Sequence, residues 1–233
     1  EEEPGIASAR NRGLQHFGPE HHGIIFVDDD EWVGAHWFET LTSAAERSGG
    51  VVSGPVHTVL PDDAPRWMVR GGFYQRPALK DGQPMPSAAT NNTLLLRSDW
   101  EAAGSPRFDT AFSTTGGSDI DFFWGLRQHG VTITHVADAD VYEDVPPERL
   151  TWKWLRRRLV RNGIVNTRVR LKHGQPVVRA LPRGVARVGY NAVLLAWNVV
   201  RGRGVQAKPL NAVLHEYGKV AGLLGQRVHE YKR

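Results

Sequence analysis

An apolar run that leads straight into three aspartates is the feature of this sequence that most constrains its fold. Residues 24–27 read Ile-Ile-Phe-Val, and Asp28, Asp29 and Asp30 follow without a break. An apolar run with β-branched residues is typical of a buried strand in a parallel sheet. Because adjacent carboxylates repel one another, each favours its protonated form unless a positive charge lies nearby. The stretch therefore predicts a buried strand whose end binds something cationic.

Apolar runs and helical patterns alternate along the first 145 residues. The patterns predict strands at residues 24–27, 51–60, 91–97, 131–136 and 137–143, and helices at residues 5–18, 32–48 and 119–129, with a short helix from Ser98. The stretch at residues 61–86 is rich in proline and glycine, which predicts a loop with one short strand at residues 67–69. This alternation indicates an α/β fold with a mostly parallel sheet flanked by helices.

The amino-acid composition excludes several kinds of site and protein. With 233 residues, 40% of them hydrophobic, the chain can bury a core of its own. It contains no cysteine, which excludes disulfides, thiolate catalysis and zinc–sulfur sites. No apolar run reaches the roughly 18–20 residues of a membrane span.

Charge divides the sequence into an acidic body and a basic tail. Residues 1–150 hold 11 lysine and arginine residues against 23 acidic ones, whereas residues 151–233 hold 18 against two. We therefore predict an acidic domain at residues 1–150 and a basic, amphipathic helical extension at residues 151–233. The extension begins with a helix that carries Arg156, Arg157, Arg158 and Arg161. These arginines are predicted to contact an anionic membrane surface.

Carboxylates occur in two clusters, and each has two interpretations. Asp28 to Asp30 suit Mg²⁺ or Mn²⁺, which take oxygen ligands and bridge to substrate phosphates. Alternatively, Asp30 caps the following helix and its neighbours form a solvated turn. Asp119 and Asp121 follow a Gly-Gly turn, where a carboxylate either caps a helix or acts as a general base.

Five segments in order carry a resemblance to a known family. They are GIASARNRGL at residues 5–14, IIFVDDDEW at 24–32, ATNNTLLLRS at 89–98, FDTAFSTTGGSDIDFFWGLRQHG at 108–130 and VADADVYEDVPPERLTWKWLRRR at 136–158. Together they resemble the family 2 glycosyltransferases of the GT-A fold, in particular bacterial members with a basic C-terminal extension. The resemblance covers residues 5–165 firmly and the tail loosely.

The resemblance implies a role for each matching residue. Asp28 and Asp30 match the DXD motif that holds Mn²⁺ or Mg²⁺ on the donor diphosphate, and Asp119 matches the catalytic base of inverting members. Ser118 departs from the family, since a glutamate usually precedes the base. The implied donor-side residues are Arg10, Asn11 and Asp29, and the implied acceptor-side residues are Asn91, Asn92, Ser118 and Asp121.

The resemblance also implies partners and a location. These are a nucleotide-diphosphate sugar, a glycan or lipid-linked acceptor, and the inner face of the plasma membrane, where the cytoplasmic enzyme would be peripherally attached. The family carries a first βαβ portion with the nucleotide-base pocket, and we expect this portion to be missing before residue 5. Alternative functions are a non-catalytic scaffold of GT-A shape, a nucleic-acid-binding protein that uses the basic tail, and a glycosidase with two carboxylates. Nucleic acid is not an expected partner, because no recognisable binding module is present.

Overall fold

The structure is a computed structural model that describes residues 5–228. Within this range the chain forms two compact units. The first unit comprises residues 5–59 and 76–144, and the second comprises residues 60–75 and 145–228. The predicted division at residue 150 did not anticipate that residues 60–75 belong with the C-terminal part. Separate roles for a catalytic domain and a membrane-associating extension remain a prediction.

The elements follow one another in mixed order. They are α1 (Ile6–Gln15), β1 (Gly23–Phe26), β2 (Glu31–Val33), α2 (Trp37–Ser48), β3 (Val51–Ser53), β4 (Val56–Val59), α3 (Arg66–Gly71), β5 (Thr93–Leu96), α4 (Arg97–Ala102), α5 (Ser118–Gln128), β6 (Ile133–His135), β7 (Val141–Asp144), α6 (Trp152–Lys172), α7 (Leu181–Val200) and α8 (Ala207–Leu223). Short 3₁₀ helices lie at Thr110–Phe112, Pro147–Arg149 and Val177–Ala180. The predicted α/β class is confirmed, with helices flanking the sheets and a helical C-terminal part.

The first unit contains two sheets, with strand orders β1-β5-β3-β6 and β2-β7-β4. β5 runs antiparallel to both of its neighbours, whereas β3 and β6 are parallel. In the second sheet β7 is antiparallel to β2 and parallel to β4. The sheets are therefore mixed and not mostly parallel, because an apolar run reveals that a strand is buried but not the direction in which it runs.

Both faces of the larger sheet are covered. Val51 and Val52 are each fully buried but belong to different cores, because successive side chains of a strand point to opposite faces. The core on one face includes Leu14 of α1 and Phe122 of α5, and the core on the other includes Leu41 of α2. Burial on both faces explains why these strands read as uninterrupted apolar runs.

Two predicted boundaries were wrong for local steric reasons. Residues 51–60 form two strands in different sheets, because Gly54-Pro55 interrupts the run. A Cβ at Gly54 would collide with the carbonyl oxygen of Ala139, and proline cannot donate to a ladder. Trp32 was predicted in a helix but lies in β2, and the helix begins only at Trp37.

The second unit is helical. The loop predicted at residues 61–86 contains α3 in place of the strand expected at 67–69, and six residues are too few to show a helical period. Thr151 caps α6, with its hydroxyl oxygen accepting a hydrogen bond from the N–H of Trp154 at 3.2 Å. Among residues 5–228, no helix combines the length and apolar character needed to cross a membrane.

Candidate active site

Asp28, Asp29 and Asp30, hereafter the aspartate turn, connect β1 to β2. Asp28 is half-buried, and the other two are exposed. The N–H of Asp28 donates to Oε2 of Glu31 at 3.0 Å, and the N–H of Glu31 donates to the carbonyl oxygen of Asp28 at 3.3 Å. Because a strand follows directly at Glu31, the alternative in which Asp30 caps a helix is wrong.

The electrostatics of Asp28 show that the two acidic clusters converge. Burial raises the pKa of Asp28 above its ordinary value, and the guanidinium of Arg10 opposes this rise. The carboxylates of Asp30, Asp119 and Asp29 raise the pKa of Asp28 further. Since Asp119 lies on α5, far along the chain, the fold brings it near the aspartate turn.

The aspartate turn fits a divalent metal that substrate helps to coordinate. Within residues 5–228, no three His, Asp or Glu side chains are arranged as a complete metal site. Magnesium sites in enzymes commonly take one or two protein carboxylates and complete their coordination with water and substrate phosphates. Asp28 and Asp30 supply that number, and a cation would offset both the burial and the neighbouring carboxylates that raise the pKa of Asp28.

Arg10 joins three elements at this site. Its Nη1 donates to Oγ of Ser118 at 3.1 Å, and its Nη2 lies 4.0 Å from Oδ1 of Asp28. The guanidinium also lies over the ring of Phe108, 5.7 Å from the centroid. Arg10 therefore holds α1 against the end of β1 and the start of α5. Ser118 is buried and its hydroxyl accepts from Arg10, and its contact with the acceptor stays a prediction.

The start of α5 presents Asp119 but not Asp121. Gly116 and Gly117 adopt φ values of 75° and 98°, which favour glycine, and the helix begins at Ser118. Oδ1 of Asp119 accepts a hydrogen bond from the N–H of Ile120 at 2.8 Å, and the side chain remains half-exposed. Asp121 lies about 200° further round the helix and is buried, and its contact with an acceptor stays a prediction.

The side chains of Asn11 and Asn92 form hydrogen bonds that connect distant parts of the chain. Asn11 exchanges two hydrogen bonds of 2.8 Å with the backbone of Phe108. Oδ1 of Asn92 accepts from the indole of Trp37 at 2.8 Å, and its Nδ2 donates to the carbonyl oxygens of Pro55 and Ala139 at 2.8 and 2.7 Å. These side-chain groups are already engaged, so the predicted substrate contacts of both residues gain no support from the geometry.

Glu31 is a site residue that the sequence reasoning missed. Its Oε1 accepts a hydrogen bond from Nδ2 of Asn91 at 3.2 Å, while Oε2 holds the N–H of Asp28. Burial raises the pKa of Glu31 to about 7, and the carboxylates of Asp28 and Glu143 add to the rise. Its place directly after three aspartates was the available signal. Glu31 ties the aspartate turn to Asn91, which was predicted on the acceptor side.

The four arginines of α6 do not form one flat patch. Arg156 and Arg157 are exposed, whereas the guanidinium of Arg158 lies over the ring of Trp154, 5.1 Å from its centroid. Consecutive residues of a helix point about 100° apart, so Arg156, Arg157 and Arg158 face different directions. Arg161 is half-buried. Their contact with a membrane stays a prediction.

An α/β unit with carboxylates at the end of a strand is typical of enzymes that bind phosphorylated substrates at the edge of a sheet. The sequence profile described as glycosyl transferase family 2 matches residues 1–102. The succinoglycan biosynthesis protein ExoM of Rhizobium meliloti (strain 1021) is 33% identical over 215 residues, covering 89% of this chain and 68% of that protein. The chain therefore belongs to glycosyl transferase family 2, which confirms the predicted family and class of enzyme.

A solved structure is also similar. The crystal structure of GalNAc-T7 with UDP, GalNAc and Mn²⁺ matches with a TM-score of 0.46 and 15% sequence identity. The match covers 65% of this chain and 34% of that chain, so this chain spans about a third of the length of that protein.

Proposed function

We propose that this chain transfers a sugar from a nucleoside-diphosphate donor to an acceptor hydroxyl with inversion at the anomeric carbon. The observation that carries the proposal is that Arg10 joins the two acidic segments, because its guanidinium donates to Ser118, the neighbour of Asp119, and lies 4.0 Å from Asp28. The carboxylate of Asp119 also raises the pKa of Asp28. A diphosphate-binding acidic turn and a separate carboxylate at a helix start are what inverting transfer requires.

Asp119 acts as the general base in this proposal. Its carboxylate takes the proton of the acceptor hydroxyl as the hydroxyl oxygen forms a bond to the anomeric carbon. The bond from that carbon to the diphosphate oxygen breaks on the opposite face, and its electron pair leaves with the diphosphate. General-base assistance of this kind contributes about 10²–10⁴ in rate.

Asp28 and Asp30 hold the divalent cation, Mn²⁺ or Mg²⁺, in this proposal. When bound, the metal supplies positive charge that stabilises the departing diphosphate. Arg10 lies beside the same turn and adds a fixed positive charge. Ser118 keeps that guanidinium in place through the hydrogen bond to Arg10 Nη1.

The acceptor is proposed from the similarity to ExoM. That relative is named a succinoglycan biosynthesis protein, which supports a role in polysaccharide synthesis for this chain. We propose that the acceptor is a growing saccharide, free or linked to a lipid, and that the enzyme works at the cytoplasmic face of the plasma membrane. The basic C-terminal part supports this location, because it suits an anionic surface.

The decisive substitution is Asp119→Asn. It keeps the size of the side chain but removes the base, so single-turnover transfer should fall by about 10²–10⁴ while affinity for the nucleotide sugar changes less than threefold. Asp138→Asn is the matched control, because Asp138 is an exposed aspartate of the same unit. A wild-type transfer rate in Asp119→Asn would remove Asp119 from the role of base.

A further inference from the structure

Helix α7 exposes a broad apolar face. Its buried positions are Gly184, Asn191 and Asn198, and its leucines are half-buried, whereas both of its aromatic residues and four of its five valines are exposed. Val185, Val193 and Val200 are 73%, 71% and 80% exposed. The other exposed apolar positions of the helix are Pro182, Ala186, Gly189, Tyr190, Ala192, Ala196, Trp197 and Val199. At about 100° per residue these positions cover roughly half of the circumference, hereafter the α7 face.

The contacts of α7 with α8 fix this orientation. Glu216 of α8 is buried and pairs with Lys219 at 2.7 Å and with Arg187 of α7 at 3.5 Å. A Cβ at Gly184 would lie 2.8 Å from the carboxylate of Glu216, so a larger residue there would displace that carboxylate. Nδ2 of Asn191 is satisfied by the carbonyl oxygen of Arg187 at 2.7 Å. The packed side of the helix carries Gly184 and Asn191 together with Leu195, which contacts the core of the second unit, so the α7 face points outward.

Positive charge borders the α7 face and is absent from it. No charged residue occurs between Val188 and Val200. Arg183 and Arg201 are eighteen residues apart, which is five helical turns, so they lie along the same edge of the face. The guanidinium of Arg201 lies 4.4 Å from the ring centroid of Trp197, which stands on that edge. An apolar face with an aromatic and cationic border matches the boundary between lipid headgroups and acyl chains.

A basic recess lies where α7 ends. The turn after α7 and helix α3 enclose about 430 Å³. Arg66, Arg70 and Arg203 line this recess together with Trp67. Among residues 5–228, none of these three guanidinium groups forms a salt bridge. The recess, hereafter the arginine recess, has the charge and the size to take a phosphate-bearing headgroup.

The charge of this part of the chain favours a lipid surface over a second copy of the protein. Residues 151–228 contain one acidic residue, Glu216, and it is buried. Two copies that met through their α7 faces would bring their arginine borders together without a carboxylate from this stretch to neutralise them. An anionic lipid layer supplies both the apolar interior and the negative charge.

We propose that the α7 face lies in the headgroup boundary of an anionic phospholipid layer and that the arginine recess binds a lipid phosphate. The inference goes beyond the transfer reaction: it assigns membrane contact to α7 and α3, in place of the predicted arginines of α6. Its test needs no turnover, so it can fail or succeed independently of the proposed function.

The first test is vesicle co-sedimentation of the full chain. Wild type should bind vesicles of 70% phosphatidylcholine and 30% phosphatidylserine, and binding should weaken sharply at high salt. Val193→Asp combined with Val200→Asp should weaken binding by at least tenfold, since both charges would enter the layer. Phe38→Asp is the control, because it places the same charge on an exposed apolar position of α2, in the first unit.

The arginine recess has a separate test. Arg66→Gln, Arg70→Gln and Arg203→Gln together should weaken binding to the same vesicles by about a hundredfold, from about fivefold for each cation near an anionic surface. Arg156→Gln with Arg157→Gln neutralises exposed arginines of α6 and should have a smaller effect. A greater loss from the α6 pair would return membrane contact to α6.

Two outcomes would overturn the proposal. One is equal vesicle binding by wild type and the double aspartate variant of α7. The other is a concentration-dependent dimer in wild type that the same double variant abolishes, since the α7 face would then belong to a second copy. Asp119→Asn should bind vesicles as wild type does, which separates this test from that of the catalytic base.

Discussion

Arg10 is the residue that connects the two acidic segments of the candidate active site. It contacts Ser118 at the start of α5 and approaches Asp28 at the end of β1, so one side chain fixes the distance between the aspartate turn and the proposed base. The ring of Phe108 supports the guanidinium from one side, and Phe122 stacks on that ring with centroids 4.0 Å apart. The site is therefore built on the aromatic core of the first unit.

Glu31 should make the stability of the protein depend on pH. The pKa of its carboxyl is about 7 in the folded chain and 4.5 ordinarily, so the folded state retains a proton that the unfolded state releases. Stability is therefore lost as pH rises from about 4.5 towards 7. Glu31→Gln removes this penalty and keeps the shape, so its melting temperature relative to wild type should rise between pH 5 and pH 8.

Thermal unfolding in the presence of a chelator measures this effect without bound metal. Glu46→Gln, an exposed substitution on α2, is the control and should show a constant difference from wild type across the same pH range. A constant difference for Glu31→Gln as well would show that Glu31 is ionised in the folded protein at pH 5.

Asn92 should matter for stability more than for catalysis. Asn92→Ala leaves the indole N–H of Trp37 and the carbonyl oxygen of Ala139 without these hydrogen bonds, whereas the carbonyl oxygen of Pro55 still accepts from the N–H of Val141. Such a loss costs about 1–3 kcal/mol for each buried group. Chemical denaturation should show a loss of at least about 2 kcal/mol, whereas Asn91→Ala, at a half-buried position, should cost less. Equal losses from the two substitutions would contradict a structural role specific to Asn92.

At the scale of elements, α6 and α8 depend on glycine for their contact. A Cβ at Gly163 would collide with the carbonyl oxygen of His215, and one at Gly218 would collide with that of Val160. Gly163→Ala should therefore destabilise the protein by about 1–3 kcal/mol, despite the better helix propensity of alanine. Gly189→Ala on α7 meets no atom within 4 Å and should be neutral or stabilising by up to about 1 kcal/mol. Denaturant titration of both variants measures these changes in the free energy of unfolding. An unchanged free energy of unfolding for Gly163→Ala would contradict the close packing of α6 and α8.

The sequence predicted elements well where the pattern was long or fully apolar. α1, β1 and α5 lie where expected, because a helical period or a buried run defines them within a few residues. The predictions from the sequence were wrong where a tertiary contact determines the local structure. The break at Gly54 depends on Ala139, and the direction of β5 depends on which neighbours it joins.

The candidate active site could likewise be predicted only in part from the sequence. The two acidic clusters could be found from their positions before and after apolar segments, and the fold brings them together. That Asn11 and Asn92 hold backbone groups could not be found, because their partners at Phe108, Pro55 and Ala139 come from distant parts of the chain. The position of Glu31 after the three aspartates was evident from the sequence, but the burial that raises its pKa was not.

At the scale of the whole molecule, the acidic and basic parts of the sequence correspond to different surfaces of the structure. The first unit carries the acidic site, and the second carries the arginine recess and the α7 face. A cation at the aspartate turn and an anionic lipid layer at the second unit are complementary to these charges. We therefore propose that the reaction and membrane attachment use separate surfaces.

The proposed function depends on binding of a nucleoside diphosphate to the aspartate turn through a divalent metal. Calorimetric titration of UDP and of GDP into the full chain, with and without Mn²⁺, tests it most directly. We predict that at least one nucleotide binds only when Mn²⁺ is present, and that Asp28→Asn combined with Asp30→Asn abolishes this binding while the fold is retained. Binding that does not depend on the metal, or that survives the double substitution, would contradict the claim.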